Sequence, residues 1–104
     1  QLDMRFLPNP YWVPELRRYS GRDAAVSEYV LSDPSVEDYL ESAEKMAEIA
    51  MEGYRREGKR YMILGVGCTG GKHRSVAVAE QLGKRLRTLD NVEVAVVHRD
   101  LGRE

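Results

Sequence analysis

Leu2, Met4 and Phe6 alternate with Asp3 and Arg5, the period-two signature of a half-buried strand. Pro8, Pro10 and Pro14 then interrupt regular structure, and Asn9-Pro10-Tyr11-Trp12 reads as a turn carrying two large aromatics. We expect this turn to plug the core, with Trp12 packed against the sheet. After a second turn at Ser20-Gly21-Arg22-Asp23, residues Ala24 to Leu31 suit a short helix. Asp33-Pro34 has the chemistry of a helix start, with Asp as N-cap and Pro at the first helical position. Apolar residues at 36, 39, 40, 43, 46, 47, 50 and 54 form a helical stripe with acids on the other face, and Gly58 ends it. Tyr61 to Val66 is a short continuous apolar run, typical of a strand buried on both faces. Val76, Ala79, Leu82, Leu86 and Leu89 give a second helical stripe, and Val92 to Val97 a third β-rich run.

The order strand, irregular segment, helix, strand, loop, helix, strand predicts an α/β fold. We expect a small three-layer-type arrangement with a short, mostly parallel sheet, helical crossovers and a glycine-rich loop at a strand-to-helix junction. The 104 residues make one domain, 1–104. No apolar run is long enough to span a membrane, and no signal peptide is visible, so the expected compartment is the cytoplasm. The chain enters a strand almost at once, as a domain cut from a longer protein would. One cysteine excludes an intramolecular disulfide and offers no metal framework, and neither a metal nor a cofactor is expected. Net charge is −1, with 16 basic and 17 acidic residues, so bulk electrostatics do not advertise nucleic-acid binding. Residues 34–57 carry seven acids against three bases, or −4, which leaves +3 for the remainder. That excess lies around Arg17, Arg18 and Arg22 and around Lys72, His73 and Arg74.

The chemistry concentrates in Gly67-Cys68-Thr69-Gly70-Gly71-Lys72-His73-Arg74-Ser75, between a strand and a helix. Three glycines permit close backbone approach, and the helix that follows supplies unsatisfied N–H groups and the positive end of its dipole. Lys72 and Arg74 add charge, and Thr69 and Ser75 add hydroxyls. This is the composition of a phosphate site. A nucleotide P-loop fails here, because aligning its lysine on Lys72 puts Val66 at the first glycine and His73 at the Ser/Thr position. The alternative is a cysteine phosphatase: Cys68 and Arg74 enclose five residues and Ser75 follows, giving C-x5-R-S. Against it, Gly67 stands where those enzymes place His, and only Asp90 and Asp100 offer themselves as general acid. We expect binding without catalysis. With only His98 as a second imidazole, a metal site at His73 is disfavoured, and we assign His73 to ligand contact. His98 is either a surface residue or a member of the site.

Arg5-Phe6-Leu7-Pro8-Asn9-Pro10, Leu16-Arg17, Gly21-x-Asp23, the nine-residue loop, Ala79-Glu80-Gln81-Leu82 and His98-Arg99 together resemble the C-terminal domain of the bacterial RNase adapter protein family, RapZ/YvcJ. The resemblance covers nearly the whole chain. It implies a metabolite-sensing half of a two-domain protein whose N-terminal P-loop domain is absent from this sequence. It also implies a phosphorylated amino sugar or nucleotide sugar as ligand, of the glucosamine-6-phosphate or UDP-N-acetylglucosamine class. Carried over by position, ligand contacts fall at Thr69, Gly70, His73 and Arg74, with Gly71, Lys72 and Ser75 in the same loop. Arg5 and Asn9 complete the pocket. Tyr11 stands where some members have His, a change that bears on which ligand fits. The family further implies a homo-oligomer, and small-RNA or regulatory-protein partners in the full-length context. The 99–104 tail nets zero charge, unlike the basic tail of RNA-binding members. An RNA- or protein-interaction module is therefore a further alternative.

Overall fold

The computed structural model describes residues 1–102, so Arg103 and Glu104 of the tail lie outside the described residues. Two short strands, β1 (Leu2–Asp3) and β2 (Val66–Gly67), pair in parallel with Leu2 opposite Val66 and Asp3 opposite Gly67. Three α-helices follow the chain: α1 (Ala24–Val30), α2 (Val36–Arg56) and α3 (Arg74–Leu86). The molecule is thus a small α/β fold. At its centre, α3 packs against α1, α2 and β2. Met4, Val26, Val30, Leu40, Ala43, Ala77, Val78 and Leu82 form the core.

The strands are shorter than the hydrophobic pattern predicts. Met4 is fully buried, but the chain turns directly after it: Leu7 N–H donates to Met4 O at 3.2 Å, and Phe6 swings out to 51% exposure. In the 61–66 run only Val66 enters the ladder, and Tyr61 and Ile63 are 84% and 89% exposed, so that run is not buried on both faces. Residues 92–97 alternate strictly between exposed and half-buried, as an extended segment should, yet they form no strand. Val94 and Val96 face α3 at Gly83, where a Cβ would lie 2.6 Å from Val96 Cγ2. That contact accounts for a glycine inside a helix, a position where it costs about 1 kcal/mol relative to alanine.

Helix boundaries also follow identifiable local chemistry. The expected N-cap Asp33 instead folds over a turn, accepting from Ser35 N–H and Oγ, and α2 starts at Val36. At its other end Gly58, at φ 80°, closes a Schellman motif: Gly58 N–H donates to Arg55 O and Lys59 N–H to Tyr54 O. Leu89, expected on the second stripe, lies in a turn beyond α3. Trp12 is not a core plug. It ends a three-residue 3-10 helix, Pro10–Trp12, with 73% of its surface exposed.

Candidate ligand-binding site

β2 delivers the chain into the loop at Gly67, and α3 takes it up again at Arg74. Between them Gly70 (φ 82°) and Gly71 (φ 65°) are both left-handed, a consecutive pair that side-chain-bearing residues adopt only under strain. Ser75 N–H donates to Cys68 Sγ at 3.3 Å, Gly71 N–H also bonds the sulfur, and the thiol lies 3.3 Å from Ser75 Oγ. Burial pushes the Cys68 thiol up, but the Ser75 and Gly71 hydrogen bonds and the Arg74 charge together bring it below its ordinary value. The loop therefore favours the thiolate form of Cys68. His73, the N-cap of α3, makes no side-chain capping bond.

The loop divides into an outer and an inner half. Thr69 and Gly70 are exposed, Gly71 and Lys72 half-buried, and His73, Arg74 and Ser75 buried. His73 Nε2 lies 2.9 Å from Arg17 O, and since a carbonyl only accepts, this nitrogen carries the proton. Arg74 Nη1 donates to Arg5 O at 2.8 Å and to Leu7 O at 3.4 Å, while Nε is buried with no partner among the described residues. These two inner side chains brace the first segment of the protein against the loop. Gly21 adds a third brace: its N–H donates to Lys72 O at 2.9 Å, and a Cβ there would lie 2.4 Å from both His73 O and Ala77 N.

The remaining predicted residues are held nearby by other partners. The Arg5 side chain pairs on the surface with Asp3 at 2.7 Å and holds that carboxyl down at about 2. Asn9 Oδ1 accepts from Tyr11 N–H, capping the 3-10 turn. Tyr11, 48% exposed, is covered by the Arg17 guanidinium 4.7 Å from its ring centroid, and Arg17 Nε donates to Tyr11 O at 2.6 Å. Arg17 thus joins Tyr11 to His73, whereas the sequence placed it only in the positive excess and in the Leu16-Arg17 motif. No sequence spacing signals it, because the link runs through backbone carbonyls.

A cleft of about 670 Å³ opens between residues 61–68 and 91–100, with Ala79, Leu82 and Gly83 of α3 on its floor. Its loop end is lined by Cys68, Gly71, Ser75, His98 and Asp100. A Cβ on Gly71 would lie 2.9 Å from Asp100 Oδ2, so the carboxylate packs directly over the glycine. Asp90, the other acid considered, lines a separate groove with Glu48 and Arg56 of α2. The His98 side chain is buried and bonds Glu80 Oε1 at 3.0 Å, and Glu80 also pairs with Arg22 at 3.4 Å. This cluster ties the last segment to α3 and to the turn containing Gly21. Among the described residues no cluster of His, Cys, Asp and Glu could hold a metal, and no helix is long and apolar enough to cross a membrane.

Comparison with known proteins matches nearly the whole sequence. Residues 1–102 match the family described as the RapZ C-terminal domain. A nucleotide-binding protein of Rhodococcus erythropolis is 59% identical over 102 residues, covering 98% of this chain and 34% of its own length. A nucleotide-binding protein of Frankia alni is 62% identical over 102 residues, covering 98% and 35%. One of Nocardia farcinica is 58% identical over 107 residues, covering 99% and 34%. The chain spans about a third of the length of these relatives. With the loop, its braces and this match in agreement, the chain belongs to the RapZ C-terminal domain family.

Proposed function

We propose that this domain binds a phosphorylated amino sugar or nucleotide sugar at the outer half of its loop and performs no chemistry on it, as the sensing part of a regulatory adapter. The observation that carries the reading is the loop geometry. Two successive left-handed glycines precede a thirteen-residue helix, with the Gly71 and Ser75 N–H groups at Cys68 Sγ and that thiol held below its ordinary value. Thr69 and Gly70 are exposed and Gly71 and Lys72 half-buried, so the ligand is assigned to this outer half. His73, Arg74 and Ser75 shape the loop from behind. The relatives' name, nucleotide-binding protein, is consistent with a ligand of this class.

Cys68, Ser75 and the nearby Asp100 give the phosphatase reading its best support. That chemistry needs the arginine of C-x5-R-S to grip phosphoryl oxygens, and here Arg74 Nη1 is directed at Arg5 and Leu7 carbonyls instead. Binding without turnover is therefore the better account. Self-association belongs to the same proposal: the extended 92–97 segment, with Val97 83% exposed, offers an edge for pairing with a second copy. RNA and regulatory proteins would be partners of the full-length adapter.

A thermal-shift panel tests the proposal, using glucosamine-6-phosphate, UDP-N-acetylglucosamine, inorganic phosphate and p-nitrophenyl phosphate against wild type and Lys72→Ala. Saturable stabilisation by a sugar ligand, reduced in the variant and without phosphate release, is the expected outcome. Turnover of the nitrophenyl ester, abolished by Cys68→Ser, would replace the proposal with the phosphatase.

A further inference from the structure

Residues 61–64 and 92–97 alternate between exposed and half-buried positions as strands do, yet no backbone hydrogen bond joins either stretch to another described residue. β1 fills one edge of β2: Leu2 N–H donates to Gly65 O and Met4 N–H to Gly67 O, each at 2.7 Å. Polar backbone groups alternate edges along a strand, so those of Leu64 and Val66 face the other edge, which carries no strand. Across the cleft of about 670 Å³ on that side lies the 92–97 segment, and no residue of β1 lines the cleft. The chain reaches this segment from β2 through α3, the strand–helix–strand order that sets a second strand parallel to the first. Parallel strands that share a face turn their N–H groups to the same side. Val94 and Val96 share the α3 face with Leu64 and Val66, so it is the polar groups of Glu93, Ala95 and Val97 that point toward β2. Arg87, which does not line the cleft, donates to Val94 O at 3.4 Å. The segment is tied at both ends: Arg55 Nη2 donates to Asn91 O at 3.1 Å, and the His98 ring bonds Glu80 of α3 at 3.0 Å.

We infer that 92–97 is a strap that closes on the free edge of β2 as a third parallel strand and seals the cleft beside the loop. The occupant of the edge is the chain's own segment, because the topology brings it there with the matching face inward and the matching polar groups toward β2. Closure takes the half-buried Leu64, Val66, Val94 and Val96 further from water, and the strap's anchored ends reduce the entropy lost in ordering it. Gly83 clears its path over α3, since a Cβ there would lie 2.6 Å from Val96 Cγ2. Cys68, Gly71 and Ser75 line the loop end of the same cleft, so the closed strap covers the Cys68 thiol and the open one leaves it to solvent. Asp100, two residues past the His98 anchor, packs over Gly71 and carries the position of the strap to the loop. The device acts on access to the loop whatever ligand the loop takes. It uses the inner edge of 92–97 and leaves the outer edge to a second copy.

Cys68 is the sole cysteine of the chain and reports on the cleft directly. The test measures amide hydrogen exchange by NMR and the rate at which Cys68 reacts with dithiobis(nitrobenzoic acid), in wild type, Ala95→Pro and Ala95→Val. Ala95 is exposed, so both substitutions spare the core. Proline removes the N–H that the third ladder needs, whereas valine keeps it and favours a strand. The strap predicts that the Leu64 and Ala95 amides of wild type exchange at least roughly tenfold more slowly than in an unstructured chain. Ala95→Pro should abolish the Leu64 protection and speed the Cys68 reaction by at least roughly fivefold, as expected when local closure is lost. Ala95→Val should slow that reaction below the wild-type rate. Unprotected Leu64 and Ala95 amides in wild type overturn the strap, as do protection and thiol rates that Ala95→Pro leaves unchanged. Protection that rises with protein concentration overturns it too, by assigning the edge to a second copy. If Ala95→Pro does not fold, the comparison of wild type with Ala95→Val decides, and an unchanged thiol rate overturns the inference.

Discussion

Gly21 and Gly70 are both glycines of the site region, but they are glycine for different reasons. Gly21 has no room: its Cβ would meet backbone atoms at 2.4 Å, and those atoms begin α3. Gly21→Ala is expected to cost about 3 kcal/mol or more in urea denaturation, at the upper end for overpacking. Gly70 has open space but φ 82°, so Gly70→Ala is expected to cost only about 1–2 kcal/mol of backbone strain while impairing the ligand. Arg74 is a structural brace in this account. Arg74→Ala deprives the Arg5 and Leu7 carbonyls of their donor and is expected to lower stability by about 2–3 kcal/mol. Loss of binding in that variant would therefore be ambiguous, so Lys72→Ala is used as the probe with its melting temperature measured alongside. Acid should act through Glu80. Its hydrogen bond with His98, then the charges of His98 and Arg22, hold its folded pKa below the usual 4.5. A depressed carboxylate stabilises the fold above its unfolded pKa, and that contribution disappears as pH falls through the folded value. Melting temperature should therefore drop below about pH 4.5 in wild type, with a shallower slope in Glu80→Gln.

At the level of elements, helices were legible and strand pairing was not. The α2 stripe placed Val36, Leu40, Ala43 and Ala47 inside, and the terminating Gly58 does occupy its left-handed position. Gly58→Ala, in open space at φ 80°, should cost about 1 kcal/mol and fray the last turn of α2, visible as faster amide exchange at Glu57 to Lys59. Periodicity states which side chains face inward; it does not state which backbone edges find each other. The 92–97 run keeps its alternation and packs the half-buried Val94 and Val96 against α3 at Gly83 without joining a ladder. The loop was legible as a unit because glycine spacing and hydroxyls carry local chemistry. The inward turn of His73 and Arg74 was not, because their acceptors at Arg17, Arg5 and Leu7 lie 56 to 69 residues away in sequence. Trp12 misled for a simpler reason: hydrophobicity predicts burial, but the 3-10 turn buries Pro10 and leaves the indole 73% exposed.

Across the whole molecule, α3 is the shared wall of everything described. Its first turn carries the inner loop, its Glu80 anchors His98 and Arg22, and Arg85 near its end bonds Glu37 and pairs with Glu44 of α2. A ligand at the loop therefore acts on the element that the core is built around, and binding should stabilise the entire domain. At a hundredfold excess over Kd the linkage is about 2.7 kcal/mol, which for a domain of this size raises the melting temperature by roughly 10 °C. The central claim, a phosphate site at residues 69–72, is tested most directly by calorimetric titration of UDP-N-acetylglucosamine and glucosamine-6-phosphate into wild type and Lys72→Ala. The account predicts one site per chain for at least one of these ligands, weakened about tenfold or more by removal of the lysine charge, about 1.5 kcal/mol. Absence of binding by both, or binding that Lys72→Ala leaves unchanged, would contradict it.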